Sequence, residues 1–210
     1  MTAVKLLVCV LSVVPAWSLL GVLQHINRHF IRAYDYRVLN TAITDTGAWA
    51  FIFLFITLAC TPLQRLTGLR FPGELRRTFG LFAFFYSFLH FVVYMLIGQK
   101  LNWAYAWADA LGQKSRIPGW LSLILLVPLV LTSTDGMIRR LGGKRWKNLH
   151  RLLYLSIAFA IAHVAWTEVD RQTNFQLTKR LAVMFAILMA LRLVPRRKAP
   201  PKADASVSAR

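Results

Sequence analysis

The stretch FGLFAFFYSFLHFVVYMLI, Phe79 to Ile97, runs nineteen residues without a Lys, Arg, Asp or Glu and holds one histidine, His90. At about 1.5 Å of rise per residue such a helix covers about 28 Å, close to the roughly 30 Å of hydrocarbon in a bilayer. It reads as a membrane span. Working outward, five more apolar blocks of similar character appear, at Val4 to Leu23, Gly47 to Thr61, Gly119 to Thr134, Leu149 to Thr167 and Leu181 to Val194. The expected fold is therefore all-α, a polytopic bundle of six transmembrane helices forming one domain over residues 1–194. The blocks beginning at Gly47 and Gly119 are short and need neighbouring helices or a locally thin bilayer, and Pro128 is tolerable inside a membrane helix.

Composition agrees. Of 210 residues, 57% are hydrophobic and only 16% charged, with a mean hydropathy of +0.49, well above the apolar content of a soluble domain. A net charge of +18 raises the question of nucleic acid, and the placement of the charges argues against it. Arg65, Arg70, Arg76 and Arg77 share one loop, Arg139, Arg140, Lys144, Arg145 and Lys147 another, and Arg196, Arg197, Lys198 and Lys202 the tail. With the N-terminus inside, all three lie on one side, the basic cytoplasmic side of a membrane protein. The alternate loops hold fewer cations and include Asp35, Asp45, Asp109, Glu168 and Asp170. Six of seven tryptophans (Trp17, Trp49, Trp103, Trp107, Trp120, Trp166) then fall at the outer interface, with Trp146 at the inner one. Both signals give an N-in, C-in topology.

Met1 to Gly21 has a second reading as a secretory signal, with Lys5 before an apolar run and Ala16-Trp17-Ser18 as a cleavage site; the charge topology favours a retained helix. Cys9 and Cys60 sit at inner helix ends, facing a reducing compartment, and read as core residues without a disulfide. Residues 195–210 turn abruptly to Pro, Lys, Ala and Ser, a disordered basic cytoplasmic tail that meets membrane lipid by charge at most. Leu101 to Gln113 interleaves Trp103, Tyr105, Trp107 and Leu111 with polar residues, suited to lying along the lipid interface, with a partner's docking site as the alternative. No dinucleotide, Walker-type or H-E-x-x-H motif occurs, so the chemistry belongs to the bundle.

Ionisable groups inside hydrocarbon are costly and mark function. Here they are histidines. His25 and His29 fall in the first external loop, where a solvated surface role suffices. His90 stands about 16 Å along its helix from Phe79, and His163 about 21 Å along its helix from Leu149, both helices running outward. The two imidazoles can meet in the outer half. His150 begins the fifth helix near the inner boundary, about 20 Å of rise from His163 and roughly 140° away in direction, so these two do not share one metal. A lone membrane histidine is commonly an interhelical hydrogen-bond partner; two at matching depth say more. Zinc wants four Cys, His or carboxylate ligands, and none but the histidines stands at this depth. Two facing neutral imidazoles suit the axial positions of a haem iron. Phe84, Phe85, Tyr86, Phe88, Tyr94, Tyr154 and Phe159 either wall such a slot or simply pack the bundle. Arg76, Arg77 and Arg151 are candidate partners for haem propionates, although positive-inside residues require no such duty.

The ordered fragments Arg76-Arg77-x-x-Gly80-Leu81, Leu89-His90, Tyr94, Thr132-Ser133, Leu141-Gly142, Trp146, Leu149-His150-Arg151-x-x-Tyr154 and His163 resemble the ferric-reductase-like transmembrane family. The resemblance covers about Thr46 to Val194. It implies a haem b protein of the bacterial inner membrane that carries electrons outward to a separate periplasmic molybdopterin methionine sulfoxide reductase, for repair of oxidised proteins. It also implies a cytosolic flavin reductase or quinol as donor and an associated FMN, for which the sequence holds no motif. Larger oxidases of this superfamily pair two histidines on the third helix. Counting back fourteen residues from His90 reaches Arg76, and thirteen reaches Arg77, so His150 lacks a histidine partner for an inner haem. The alternatives are a haem-containing ferric or quinone reductase, and a small transporter whose histidines bond helices together or carry protons.

Overall fold

The computed structural model describes residues 8–10, 12–13, 36–69, 71–99 and 101–195. Among them the chain is entirely helical: α1 Tyr36–Thr67, α2 Phe71–Val93 with a π-helical continuation Tyr94–Gly98, α3 Trp103–Gly112, α4 Arg116–Leu131, α5 Asp135–Leu141, α6 Gly143–Leu149, α7 Leu152–Asp170 and α8 Gln176–Leu191. Three stretches, Asn40–Thr67, Phe71–Leu96 and Gly143–Asp170, are long and apolar enough to cross a membrane, and α3 with α4 forms a fourth if a pair bent by 117° counts as one broken span. The expected first span lies almost wholly outside the described residues, as do His25, His29 and the tail after residue 195. Of that span, Ser12 is buried and its carbonyl accepts a 2.6 Å hydrogen bond from Tyr86 Oη.

Local chemistry sets the breaks. Gly68, at a φ of 74°, ends α1 in a conformation that suits a residue without Cβ, and its N–H returns to the Gln64 carbonyl at 3.1 Å. Asn102 caps α3 by accepting from Ala104 N and Tyr105 N at 2.9 and 3.2 Å. Gly142, at a φ of 73°, separates α5 from α6. The Glu168 carboxylate near the end of α7 accepts from Leu177 N and Thr178 N, both at 3.1 Å, and so caps the first turn of α8.

Four long helices pack as two pairs, α1 against α2 and α4 against α7. The first pair buries Leu58, Ala83 and Tyr86 completely, and Phe53 stacks on Tyr86 with ring centroids 5.3 Å apart. The second is joined by buried serines: Ser122 Oγ reaches the Ser156 carbonyl at 2.9 Å, and Ser156 Oγ reaches the Ser122 carbonyl at 3.0 Å. Small hydroxyl residues let two backbones approach and supply the interhelical bonds that apolar solvent cannot replace. Outward-facing apolar residues such as Phe88, Ile124, Leu155 and Val183 are 49, 59, 47 and 58% exposed, as lipid-facing positions are.

The contacts fix relative directions. At one end, Arg192 after α8 donates to the Leu58 carbonyl at 2.8 Å and to Tyr154 Oη, and Arg65 donates to the Arg192 carbonyl. At the other, Arg171 after α7 reaches Asn40 Oδ1 near the start of α1 at 3.3 Å. Thus α1 and α7 are antiparallel, and α2, which returns along α1, runs the same way as α7. The blocks read from hydropathy change mainly at their ends. The second begins well before Gly47, because Asn40, Thr41, Thr44, Asp45 and Thr46 are polar yet helical, and Thr46 Oγ1 satisfies itself on the Ala42 carbonyl at 2.8 Å. His150 does not open the fifth span: it is the C-terminal cap of α6, and α7 starts at Leu152.

Candidate functional site

The two helix pairs each contribute one histidine to the same place. His90 comes from α2 and His163 from α7, and their rings stand 6.2 Å apart between centroids, inclined by 73°. The matched depth expected from residue counting is realised, at the end of the bundle where α1 and α4 begin.

Both rings are held in one manner. His90 Nδ1 lies 2.9 Å from the Ile43 carbonyl of α1 and 3.3 Å from Thr46 Oγ1. His163 Nδ1 lies 2.6 Å from the carbonyl of Ser115, the residue that caps α4. A carbonyl oxygen only accepts, so Nδ1 carries the proton in each ring, and a neutral imidazole then has its lone pair on Nε2. That is the arrangement in which metal-binding histidines are oriented by an outer partner. Two such rings, each with its Nε2 lone pair free, could together hold one metal. Two nitrogen–metal bonds of about 2 Å, plus roughly 1 Å on each side from nitrogen to ring centre, place opposed imidazoles about 6 Å apart between centroids. The observed separation matches. Among the described residues no group of three or more His, Cys, Asp or Glu converges as a metal cage.

A polar cluster borders this end. Tyr94 Oη donates to Asp109 Oδ2 at 2.6 Å, Arg116 Nε bonds the same oxygen at 2.8 Å, and the Arg116 guanidinium lies over the Tyr94 ring at 5.3 Å. It ties the π-helical end of α2 to α3 and to the first residue of α4, beside Ser115. Tyr94, Asp109 and Arg116 thereby brace the loop that carries the His163 carbonyl partner. Ser115 Oγ is buried without a hydrogen-bond partner.

His150 stands apart. Its ring lies against that of Trp146, with centroids 3.9 Å apart and planes inclined by 31°, and its Nδ1 is 3.1 Å from the Trp146 carbonyl. Of the arginines expected near it, Arg76 lies within electrostatic range of His150, Cys60 and Arg192, Arg77 pairs with Asp135 at the start of α5, and Arg151 is exposed. Sequence reasoning missed Arg65 and Arg192, which join this basic end through backbone carbonyls and Tyr154. The signal available for Arg192 was its place inside the apolar block Leu181 to Val194; Arg65 lies just past the block that ends at Thr61, where topology alone explains it. Among the expected wall residues, Tyr86 is fully buried against Phe53, whereas Phe85 and Phe88 face outward at 43 and 49% exposure. Both cysteines are free thiols.

Residues 46–161 match the model of the ferric reductase like transmembrane component family. The chain is 37% identical over 191 residues to the protein-methionine-sulfoxide reductase heme-binding subunit MsrQ of Ralstonia nicotianae, covering 91% of this chain and 85% of that one. It is 42% identical over 152 residues to the MsrQ of Rhodospirillum rubrum, covering 71% of this chain and 70% of that one. Magnetosome protein MamZ of Magnetospirillum gryphiswaldense is 41% identical over 117 residues, 56% of this chain but 18% of that longer protein. An all-helical, multi-pass membrane bundle with paired histidines between its helices, matched over more than half its length, belongs to the ferric-reductase-like transmembrane family. Within that family its relatives over most of the chain are MsrQ proteins, and it belongs with them.

Proposed function

We propose that this chain is the haem b electron-transfer subunit of a periplasmic protein-methionine-sulfoxide reductase system, set in the bacterial inner membrane with six spans, N-in and C-in. The observation that carries the reading is the His90–His163 pair: two imidazoles from separate helix pairs, each tied through Nδ1 to a backbone carbonyl, 6.2 Å apart. Haem fits these residues because both Nε2 atoms keep their lone pairs and both rings are only partly buried. A bound haem supplies reversible one-electron chemistry; His90 and His163 hold it, and the carbonyls of Ile43 and Ser115 orient those ligands.

Electrons enter, in this reading, at the basic end near His150, from a cytosolic flavin reductase or quinol. They leave at the end of His90 and His163 toward a periplasmic molybdopterin enzyme. His150 would hold an inner haem whose second position is open or taken by a group other than histidine. Arg76 is the arginine best placed to hold a propionate there, since Arg77 is already paired with Asp135 and Arg151 points to the surface. FMN, implied by the family, has no residue assigned to it.

The test uses chemically reduced, purified chain under anaerobic conditions. Adding the periplasmic reductase with methionine sulfoxide should reoxidise the protein, with loss of the reduced haem band, and omission of either should leave it reduced. Reoxidation by ferric citrate or quinone but never by the periplasmic enzyme would give the chain a different customer. A protein that is colourless after expression with ample haem, and indifferent to dithionite, is the outcome expected of the transporter reading.

A further inference from the structure

Each histidine of the pair rests against a glycine on a neighbouring helix, and the two arrangements share one spacing. A Cβ added at Gly47 would stand 3.2 Å from both Cε1 and Nδ1 of His90. One added at Gly119 would stand 3.0 Å from Nδ1 and 3.3 Å from both Cε1 and Cγ of His163. Gly47 follows Ile43 by four residues, and Gly119 follows Ser115 by four. In an α-helix the carbonyl of residue i lies beside the residue at i+4, on the same face. An imidazole that donates to carbonyl i as a second hydrogen bond must lie where the i+4 side chain would be. The carbonyl has a second lone pair to accept it, and the glycine has no atom to block it.

We infer that Gly47 and Gly119 are positioning residues that form, with the Ile43 and Ser115 carbonyls, two matching seats fixing the rotation and proton position of the metal-ligating imidazoles. Neither glycine touches the ligated metal; each acts through its histidine. The seat at Gly119 is the tighter, since three ring atoms lie within 3.3 Å and the Nδ1 bond there is 2.6 Å. A methyl group at either position requires the ring to give by a few tenths of an ångström, which weakens or breaks its bond to the carbonyl. Loss of the Nδ1–H···O=C bond lowers the basicity of Nε2, so the oxidised metal is less well stabilised and the midpoint potential rises. The inference rests on the proposed ligand role of His90 and His163, and the test separates the two.

The variants are Gly47→Ala and Gly119→Ala, with Gly112→Ala and Gly136→Ala as controls because an added Cβ at either control position meets nothing within 4 Å. Haem content, the reduced α-band and the midpoint potential are read on purified full-length protein. The expected result is a raised potential with a displaced α-band, or severalfold loss of haem, larger for Gly119→Ala than for Gly47→Ala, and neither control changing. Wild-type spectrum and potential in both seat variants would overturn the inference. Thermal stability of Gly119→Ala is also measured in a His163→Ala background, where the ring that the methyl group meets is gone. Equality of the double variant with His163→Ala supports a seat, even if Gly119→Ala alone does not fold; a further loss of stability in the double variant means that Gly119 packs against something else and overturns it. Retention of the wild-type spectrum by His90→Ala and His163→Ala would instead defeat the ligand assignment on which the seats depend.

Discussion

At the scale of single residues, the pair His90 and His163 was legible before any coordinates, because rise per residue converts sequence position into depth and the two depths agree. The seats were not legible. Ile43-x-x-x-Gly47 and Ser115-x-x-x-Gly119 look like ordinary helix sequence until a ring from another helix lies on each, and glycine is common in membrane helices for other reasons. Arg65 was hidden, since the positive-inside rule already accounts for an arginine just past an apolar block, whereas Arg192 stands inside the block Leu181 to Val194 and was passed over there. Ser115 provides a prediction at this scale. Its carbonyl holds His163 and its hydroxyl is buried without a partner. Ser115→Ala keeps the carbonyl and removes a desolvated group whose burial costs about 1–3 kcal/mol. The α-band should stay in place and the melting temperature should be equal or higher; a fall would show that the hydroxyl holds something the chain needs.

At the scale of elements, two devices determine how the helices meet, and each predicts a variant. The Ser122 and Ser156 hydroxyls bond across α4 and α7, and bonds of this kind between membrane helices are worth about 0.6 kcal/mol on average. Ser156→Ala should therefore lower stability slightly, while Ser156→Leu forces bulk into a fully buried site and should cost about 1–3 kcal/mol, read as loss of thermal stability in detergent. Glu168 caps α8 through two backbone N–H groups, and Glu168→Ala should cost on the order of 1 kcal/mol while leaving the haem spectrum unchanged. A spectral change in that variant would mean that α8 reaches the site. Hydropathy located the cores of α1, α2, α4, α7 and α8 but misplaced their ends. Near the start of α1, Thr46 satisfies its hydroxyl on its own helix backbone and Asn40 bonds Arg171, and the break at Gly142 divides a basic segment that had read as a loop into two short helices.

At the scale of the molecule, the two helix pairs meet at one end through the histidines, and α1, α7 and α8 meet at the other through Arg65, Tyr154 and Arg192. Charge distribution alone made the basic end cytoplasmic, and that assignment has its own test. A C-terminal green fluorescent protein fusion should fluoresce and a C-terminal alkaline phosphatase fusion should be inactive; the reverse would turn the proposed electron path around. The proposed electron path depends most on the pair itself. Its most direct test is the reduced-minus-oxidised spectrum with haem quantitation on wild type, His90→Ala, His163→Ala and His150→Ala. The account predicts a low-spin haem b signal in wild type that is lost in both of the first two variants, while His150→Ala retains it and alters only a second signal or electron entry. A wild-type spectrum persisting in His90→Ala and His163→Ala would contradict it.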